Sequence, residues 1–374
     1  MAKKLKKNRI PNIKVVGVGG GGGNAVSRMT KSDLARHLEL IAINTDVQDL
    51  DHCLVKKRIY IGESLTKGLG TGMNPELGRQ AAEENRSEIV EALRDADLVF
   101  ITAGLGGGTG TGAAPIVAEA AREAGALTVA VVTKPFAFEG SQRIKIAQDG
   151  LARLKDKVDT LVVVPNDRIF GIIDKNTSLI KAFQAIDDVL RNAVQAVTEL
   201  LIIPGLVNVD FADIKAVMKD AGSAIIGVGV AAGGDRSLKA VTAAVNSSLL
   251  ELSIEGAKGV LFCVSGRDLK MAEINEIAKT ISETIDQGAK IIFGAYHDRK
   301  LKPGQLKVTL IATGFNGILA RPMTSLFASV DAEKIKVEPV LASFDKTSGS
   351  KTAKNQKQSS DIWDIPAFMR RRKR

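Results

Sequence analysis

The chain has 374 residues, of which 45% are hydrophobic and 25% charged, and its formal net charge is +10. This length is enough for a large hydrophobic core and predicts two domains with tails. No apolar run approaches the roughly 18 residues of a membrane span, and the basic N-terminus lacks the apolar segment of a signal peptide. The two cysteines and three histidines are too scattered for a disulfide framework, a zinc site or a histidine metal cluster, so we expect a protein of the reducing cytoplasm.

The positive charge is concentrated towards the two ends of the chain. Residues 1–11 carry five positive charges and no acid, and residues 346–374 carry nine positive and two negative charges. The body between them is therefore slightly acidic, and aromatic residues make up only 4% of the chain. Because nucleic-acid binding uses a basic folded face and aromatic stacking platforms, we expect no nucleic-acid partner.

The first predicted elements form an anion-binding cradle. Residues 13–18 are typical of a strand, residues 19–23 are all glycine, and a helix is predicted from Ala25. Unpaired N–H groups and the positive end of a helix dipole meet at such a junction, and phosphate is its natural ligand.

The same stretch has a second interpretation. Gly17, Gly19 and Gly22 fit the dinucleotide-binding fingerprint, and Asp46 lies near the position expected for its ribose-binding acid. A Rossmann-type oxidoreductase is therefore an alternative for this stretch taken alone.

The next predicted strand ends in polar residues. It covers residues 38–43 and is followed by Asn44 and Asp46, at the edge where an open α/β sheet binds ligands. A simple Asx turn also explains these two residues. Residues 68–75 form a further glycine-rich loop, and a single helix is predicted over residues 75–94.

The strongest pattern of the chain is a second cradle. Residues 98–103 are an apolar run typical of a buried strand, six glycines follow within residues 104–112, and a helix is predicted over 113–125 with Pro115 in its first turn. A tight turn needs only one or two glycines, so this stretch predicts phosphate binding. We expect a Cβ at Gly108 to intrude where the phosphate lies.

This loop carries a family resemblance. Residues 107–112 read Gly-Gly-Thr-Gly-Thr-Gly, which resembles the GGGTGTG signature of the tubulin/FtsZ superfamily of GTPases. No Walker A motif occurs in the chain. The resemblance to the FtsZ family covers residues 12–318 and returns at 361–370. It implies that both cradles hold one nucleotide, which argues against the dehydrogenase because that enzyme needs only one cradle.

The resemblance also implies the architecture, an α/β fold of the tubulin/FtsZ type. We expect a Rossmann-like parallel-sheet GTPase domain, a long central helix and a second α+β domain with a four-stranded sheet. The expected boundaries are a basic N-terminal extension (1–11), the GTP-binding domain (12–176), the central helix (177–203), the C-terminal activation domain (204–320), a mostly disordered linker (321–360) and a docking peptide (361–374). The second domain is expected to have strands near 223–231, 258–265, 289–297 and 305–313, with helices near 238–250 and 269–286.

Three polar residues follow later strands of the first domain. Glu139 and Arg143, four residues apart at a predicted helix start, form an exposed ion pair in the simplest interpretation. The resemblance implies instead that Glu139 binds the ribose hydroxyls and that Arg143 faces the sugar and phosphates. Asn166 follows a predicted strand over residues 160–165 and offers a donor and an acceptor to a purine edge.

A long helical pattern over residues 177–201 carries Phe183 and Asp187. From the residues alone, core packing explains Phe183 and a solvated face explains Asp187. The resemblance implies that the ring stacks on guanine and that the carboxylate accepts the N1–H and N2–H₂ hydrogens. Such an acceptor selects guanine over adenine, whose N1 bears no proton.

Asn208, Asp210 and Asp213 lie at the start of the next predicted helix, which runs to Asp220. Helix capping is one explanation for the two aspartates. The resemblance implies a loop that reaches the γ-phosphate of the next subunit, where Asp210 and Asp213 orient the attacking water. Head-to-tail stacking of this kind builds a filament, so we expect hydrolysis to depend on assembly.

The resemblance thus implies GTP or GDP and Mg²⁺ as ligands, with Asn208, Asp210 and Asp213 as catalytic residues. The residues implied in nucleotide binding are Gly20, Gly21, Gly22, Gly23, Asn24, Asn44, Asp46, Gly70, Thr71, Gly72, Gly107, Gly108, Thr109, Gly110, Glu139, Arg143, Asn166, Phe183 and Asp187.

The last predicted feature is a docking peptide. Residues 364–370 read Asp-Ile-Pro-Ala-Phe-Met-Arg and resemble the FtsZ C-terminal peptide, which recruits membrane tethers such as FtsA or ZipA. We expect Asp364, Ile365, Pro366 and Phe368 to bind such a partner, with a random tail as the alternative.

Together with the glycine cradles, the resemblance implies a cytoplasmic GTPase that polymerises into the ring at the mid-cell division site of bacteria. A dinucleotide oxidoreductase and a nucleotide-binding structural protein without hydrolysis are the two alternatives.

Overall fold

The computed structural model of the chain describes residues 11–171, 173, 177–203, 205–246 and 254–315. Its strands in chain order are β1 (Ile13–Val18), β2 (Leu38–Asn44), β3 (Lys57–Tyr60), β4 (Leu98–Gly104), β5 (Leu127–Lys134), β6 (Thr160–Pro165), β7 (Gly222–Ala232), β8 (Gly259–Gly266), β9 (Lys290–His297) and β10 (Gln305–Thr313). Its α-helices are α1 (Gly19–Met29), α2 (Val47–His52), α3 (Glu63–Thr66), α4 (Pro75–Glu84), α5 (Arg86–Leu93), α6 (Thr109–Glu123), α7 (Ser141–Lys155), α8 (Leu179–Ile202), α9 (Phe211–Met218), α10 (Arg236–Val245) and α11 (Met271–Ser282).

Within the described ranges the strands form one sheet in the order β3-β2-β1-β4-β5-β6-β7-β10-β8-β9. The strands from β3 to β7 are parallel, whereas β10 runs antiparallel to both of its neighbours. The fold is therefore α/β with a mostly parallel sheet, as predicted. Parallel strands bring their carboxyl ends to one edge, which is where such sheets bind ligands.

The four strands predicted for the second domain are present, but they do not form a separate sheet. A register of three residue pairs, from Thr160 opposite Gly222 to Val162 opposite Ala224, joins β6 to β7. The sequence pattern of each strand predicts the strand itself but does not indicate that β6 pairs with β7.

Both faces of the parallel strands are buried, which explains their continuous apolar sequences. Val15 and Phe100 face a core that includes α8, whereas their neighbours Val16 and Ile101 face a core that includes α6. The helix α8 thus covers one side of the sheet and α6 the other. A third core lies between α10, α11 and the strands β8 and β10.

Two helix starts were predicted wrongly. The helix α1 begins at Gly19 rather than Ala25, and α6 begins at Thr109 rather than Ala113, so Pro115 is the seventh residue of α6 instead of lying in its first turn. Glycine has a low helix propensity, which is why the sequence predicted loops there. Tertiary packing decides otherwise, because a Cβ at Gly22 would collide with the carbonyl oxygen of Thr102.

The helix predicted over residues 75–94 is two helices, α4 and α5, which meet at Asn85. The Oδ1 atom of Asn85 accepts a hydrogen bond from the backbone N–H of Gly62 at 2.9 Å, so the break serves a contact with a distant loop. No helix in the described ranges is long and apolar enough to cross a membrane.

Candidate functional site

A cleft of about 370 Å³ lies at the carboxyl edge of the parallel strands. The ends of β1, β2, β4 and β5 contribute Val18, Asn44, Gly104 and Thr133 to its lining, and Asn166 follows β6. The first turns of α1 and α6 also face the cleft. Its position is the one that the parallel topology favours for a ligand.

The N-termini of α1 and α6 converge on this cleft without a cap. Neither Val18 nor Gly108, the residues before the two helices, gives its helix a side-chain cap hydrogen bond. The first-turn N–H groups therefore remain available to an anion, which the helix dipoles also favour. The two loops are in direct contact, because a Cβ at Gly19, whose φ is +71°, would lie 2.9 Å from the backbone nitrogen of Gly110.

Threonine hydroxyls connect three loops at the floor of the cleft. The Oγ1 atom of Thr109 lies 2.6 Å from that of Thr45 and 3.2 Å from that of Thr71. The hydroxyl oxygen of Thr111 accepts a hydrogen bond from the N–H of Gly106 at 3.0 Å, which fixes the glycine loop. Thr45 and Thr111 were not among the predicted site residues; the position of Thr45 between two polar residues at a strand end was the available signal.

Gly108 lies against a neighbouring loop as well as the cleft. A Cβ at this position would collide with the hydroxyl of Thr71 and lie 2.8 Å from the carbonyl oxygen of Asn74. It would therefore disturb the packing of the two loops, and the expected clash with phosphate stays a prediction. The absent side chain therefore permits two loops to pack together.

Glu139 and Arg143 form a partly buried pair, so the exposed ion pair of the simplest interpretation is wrong. Their side chains are only 7% and 17% exposed, and the Nη1 atom of Arg143 lies 2.7 Å from Glu139 Oε2. Glu139 also accepts a hydrogen bond from the N–H of Phe136 at 2.9 Å, and Arg143 donates from Nε to the carbonyl of Gly106 at 3.3 Å. The pair thus connects α7 to the glycine loop before α6.

The helix α8 brings Phe183 and Asp187 to the opposite wall of the cleft. The ring of Phe183 packs edge-on against Phe136, with centroids 5.7 Å apart. The Oδ2 atom of Asp187 accepts a hydrogen bond from Nε of Arg28 on α1 at 2.9 Å, and the Asp187 side chain is 16% exposed. A solvated face for Asp187 is therefore wrong.

Asn166 supplies an unsatisfied acceptor. The residue is 8% exposed, and its Oδ1 atom has no hydrogen-bond partner among the described residues. An unpaired buried carbonyl oxygen is costly, so a ligand with an N–H group at this place fits it well. The uncapped helix ends and this acceptor together fit a phosphate-bearing ligand with a hydrogen-bonding base.

Most of the predicted nucleotide-binding residues lie together. Those that line the cleft are Gly20, Gly21, Asn24, Asn44, Asp46, Gly70, Thr71, Gly72, Gly107, Gly108, Thr109, Gly110, Glu139, Arg143, Asn166, Phe183 and Asp187. Gly23 lines an adjoining pocket of about 160 Å³. Gly22 is buried under Thr102 and lines neither of these two spaces, because its place is the contact between α1 and β4.

The predicted catalytic residues lie elsewhere. Asn208, Asp210 and Asp213 follow the carboxyl end of α8, whereas Asp187 lies near its start. The 15 helical residues between Asp187 and Ile202 span about 22 Å. None of the three predicted catalytic residues lines the cleft.

In this position the three residues hold their own loop together. The Oδ1 atom of Asp210 accepts a hydrogen bond from the N–H of Asp213 at 2.8 Å, which caps α9. The Oδ1 atom of Asn208 accepts one from the N–H of Gly205 at 2.6 Å. The capping explanation for Asp210 is therefore confirmed, and it leaves the second carboxylate oxygen of Asp210 available.

Two predicted features are not assigned by the structure. Among the described residues no group of three or more His, Cys, Asp or Glu side chains could hold a metal ion. The predicted docking peptide, with Asp364, Ile365, Pro366 and Phe368, lies outside the described residues.

Comparison with known families identifies both halves of the chain. The profile of the tubulin/FtsZ family GTPase domain matches residues 12–174, and that of the FtsZ family C-terminal domain matches residues 222–316. A cell division protein FtsZ of Wolbachia sp. is 45% identical, over 97% of this chain and 96% of that protein.

Solved structures agree with this match. An empty FtsZ dimer of M. jannaschii superposes with a TM-score of 0.78 at 47% identity, covering 83% of this chain and 90% of that one. A GTPγS-bound protofilament of CetZ2 from Haloferax volcanii superposes with a TM-score of 0.71 at 22% identity, covering 83% and 95%, which supports the fold alone.

Proposed function

The chain belongs to the tubulin/FtsZ family, and we propose that it hydrolyses GTP at a site completed by the next subunit of a filament. Family membership makes it a GTPase of the cell-division cytoskeleton that assembles with itself. One observation carries the finer proposal. The cleft that fits a nucleotide and the loop that bears Asp210 and Asp213 lie towards opposite ends of α8, so the two do not meet within one chain.

The family match decides between the alternatives. The dinucleotide interpretation of Gly17, Gly19 and Gly22 is wrong, because the tubulin/FtsZ GTPase profile covers this stretch. Gly17 and Gly22 serve close packing instead, since a Cβ on Gly17 would collide with the backbone of Gly22. A binding protein without hydrolysis is disfavoured by the same GTPase match.

We place the phosphates of GTP against the first turns of α1 and α6. The N–H groups of residues 19–22 and 109–111 lie in these two turns, and the helix dipoles add to their attraction for an anion. Two sets of backbone dipoles replace the lysine of a P-loop in this arrangement. Arg143, which is held by Glu139, adds a fixed positive charge beside the glycine loop.

We place the guanine base between Phe183, Asp187 and Asn166. The Asp187 carboxylate only accepts hydrogen bonds, so it matches the N1–H and N2–H₂ donors of guanine and rejects adenine. The guanidinium of Arg28 now donates to this carboxylate at 2.9 Å. Like guanine, it is a planar group with N–H donors. When the base binds, Arg28 must therefore either release the Asp187 carboxylate or share it with the base.

Magnesium is proposed as a companion of the nucleotide. Mg²⁺ is held mostly by substrate phosphates and water, with one or two carboxylates, so a dedicated protein cage is not required. A bound Mg²⁺ would neutralise part of the negative charge on the phosphates. Asp46 is a candidate protein ligand, because it lines the cleft beside the glycine-rich loop of residues 70–72.

Asp210 and Asp213 of one subunit are proposed to act on the GTP bound by its neighbour. Phosphoryl transfer needs a positioned nucleophile more than covalent chemistry from the protein. The bond from the Asp213 N–H fixes one oxygen of Asp210, which leaves its other oxygen to orient water. Asn208 holds the loop through Gly205 and so sets the position of both carboxylates.

This arrangement requires head-to-tail contact. A surface that carries the cleft meets a different surface that carries the loop, and such heterologous contacts need not close into a ring. The product is a filament in which each junction is one active site. We propose that this filament forms the division ring in the cytoplasm at mid-cell, as the name of the Wolbachia relative suggests.

The C-terminal peptide is proposed to bind a membrane tether. Asp364, Ile365, Pro366 and Phe368 combine charge with apolar side chains after a polar stretch, which suits a short segment that docks on a partner. FtsA and ZipA are the partners that the family resemblance implies.

The proposal is tested by measuring phosphate release from GTP at increasing protein concentration with magnesium. We expect turnover per subunit to rise from near zero past a threshold that coincides with polymer in sedimentation. Phosphate release from ATP and oxidation of NADH are measured as controls, the first for nucleotide specificity and the second for the dehydrogenase alternative. Turnover that is strictly proportional to protein would contradict a shared site.

A further inference from the structure

A buried charge cluster joins the last turns of α8 to the second half of the sheet. The Glu199 side chain is 8% exposed, and its Oε2 atom accepts hydrogen bonds from Lys307 Nζ and from the Tyr296 hydroxyl, each at 2.8 Å. Its Oε1 atom accepts a third bond from Gln195 at 2.6 Å. Lys307 lies on β10 and Tyr296 on β9, so one carboxylate connects three elements.

The charges in this cluster are fully developed. Burial alone would raise the pKa of Glu199, but the charge of Lys307 and the three hydrogen bonds outweigh it and hold that pKa below its ordinary value. Burial and the nearby Glu199 charge raise the pKa of Tyr296, so its hydroxyl keeps its proton and donates. The cluster is therefore an ion pair with a fixed donor and not a neutral contact.

Ala295, which precedes Tyr296 on β9, is hydrogen-bonded to the loop that leads to Asp210. The carbonyl of Ala295 accepts hydrogen bonds from the N–H groups of Leu206 and Val207 at 2.7 and 3.1 Å, and its own N–H donates to Val207 at 3.0 Å. The contact is close, because a Cβ at Gly205 would lie 2.5 Å from the Ala295 oxygen.

The following residues continue this contact to the proposed catalytic carboxylates. A Cβ at Gly294 would lie 2.9 Å from the side chain of Val209, the residue before Asp210. Val209 itself is buried, so the loop is packed against β9 up to the cap of α9. A shift of β9 relative to α8 must therefore move Asp210.

We propose that Glu199, with Lys307 and Tyr296, positions the loop of residues 205–210 so that Asp210 and Asp213 reach the nucleotide of the next subunit. The proposal rests on the shared-site function above. Glu199 on α8 accepts a hydrogen bond from Tyr296. The adjacent Ala295 is hydrogen-bonded to the loop that leads to the two aspartates. The three residues are positioning residues, since none of them lines the cleft.

The test compares Glu199→Gln, Lys307→Gln and the double variant with the full-length chain. We expect each single change to lower turnover per polymerised subunit by about 10- to 100-fold, because small misplacements of a catalytic group cost that much. The affinity for GTP below the assembly threshold is expected to stay within about twofold, since the cleft is untouched. The double variant is expected to recover part of the loss, because it leaves no unpaired buried charge.

Hydrogen exchange at the amides of Leu206 and Val207 gives a readout that does not depend on hydrolysis. Both amides bind Ala295, so we expect their exchange to accelerate in Glu199→Gln by a larger factor than exchange in α11. Tyr296→Phe removes one hydroxyl and no charge, and it is expected to show a smaller change in the same direction. If the charge variants fold poorly, exchange at residues 206 and 207 can still be measured in Tyr296→Phe.

Glu91→Gln is the matched control, because Glu91 is an exposed carboxylate on α5 that pairs with Arg94 in its own turn. Unchanged turnover and unchanged exchange at residues 206 and 207 in Glu199→Gln would overturn the positioning role. A parallel loss of GTP affinity and a uniform rise in exchange would also overturn it, by indicating general destabilisation. Failure of the shared site itself would be distinct, since wild-type turnover would then have no threshold.

Discussion

The Nε atom of Arg28 donates to the Oδ2 atom of Asp187 at 2.9 Å, although 159 residues separate the two in the chain. The contact joins α1 to the central helix α8. It gives the carboxylate proposed for guanine recognition a cationic partner in the protein itself. If Asp187 recognises guanine as proposed, the same side chain serves both nucleotide selection and the contact between α1 and α8.

Asp187→Asn tests base recognition. The amide keeps an acceptor but loses the charge, so we expect GTP binding to weaken by about 10- to 100-fold, the range of a hydrogen bond to a charged group. We expect binding of ATP to be weak in the wild type and to change little, so the preference for GTP falls. Competition binding with both nucleotides measures this. Asp188→Asn is the matched control, because Asp188 is exposed and pairs with Arg191 within the helix; a similar loss there would remove Asp187 from base recognition.

Asp213→Ala separates binding from hydrolysis. The cleft is untouched, so GTP affinity should stay within about twofold of the wild type while turnover falls at least about 100-fold. Nucleotide binding below the assembly threshold and phosphate release above it are the two measurements. A lost affinity for GTP would mean that the aspartate has a structural role only.

Asp210→Ala should combine the same loss of turnover with a loss of stability. The Asp210 side chain caps α9 through the N–H of Asp213, and removal of such a cap costs about 1 kcal/mol. Asp210→Asn keeps an acceptor for the cap and should restore stability without restoring turnover. Thermal unfolding and phosphate release distinguish the two effects. Equal stability of both variants would contradict the capping contribution.

Gly108→Val is expected to act through loop packing. The new side chain would collide with Thr71, so we expect a lower melting temperature together with weaker GTP binding. Gly234→Ala is the matched control, because a Cβ there meets no atom within 4 Å. A stable Gly108→Val protein that simply fails to bind GTP would instead restore the original expectation of a clash with phosphate.

Glu199 predicts a specific pH dependence. Its pKa is lowered in the folded protein from an ordinary value of 4.5, so its contribution to stability is present above that value and is lost as the pH falls through the lowered pKa. Glu199→Gln should cost about 1.5 to 3 kcal/mol at neutral pH, because the partly buried Lys307 loses its hydrogen bond to a charged carboxylate. The difference from wild type should shrink below about pH 4.5. Urea unfolding at several pH values measures it, and a constant difference would contradict the ion pair.

Removal of residues 361–374 should leave assembly and GTP turnover unchanged and abolish binding to the membrane tether. The deleted segment lies outside both matched family domains, which cover residues 12–174 and 222–316. Sedimentation of polymer and pull-down with a purified tether measure the two properties. A truncated protein that fails to fold would contradict an independent docking peptide.

The strands and the outline of the cleft were predictable from the sequence for a physical reason. A parallel strand buried on both faces must be apolar throughout, so β1 and β4 stand out, and the polar residues after such strands fall at one edge. Asn44 and Asn166 were found in this way. The glycine runs identified the two cradles because few other structures use so many glycines.

The errors have one common cause, which is contact between distant segments. Gly22 and Gly112 belong to helices because neighbouring backbones approach them, and no local pattern reports that approach. The bond between Arg28 and Asp187 and the hydroxyl of Thr45 beside Thr109 are likewise products of the folded arrangement. The Asp187 carboxylate was recognised from the family resemblance, whereas its partner could only be seen in three dimensions.

The three residue pairs between β6 and β7 are the shortest register in the described sheet, and this has a mechanical consequence. A filament that bends loads each subunit between its two junctions, and the sheet is weakest where it has the fewest hydrogen bonds. We therefore expect strain to concentrate between β6 and β7. The ion pair between Glu199 on α8 and Lys307 on β10 also connects α8 to the second half of the sheet. Because only three residue pairs join β6 to β7, we expect relative motion of the two parts of the sheet to be easiest at this joint.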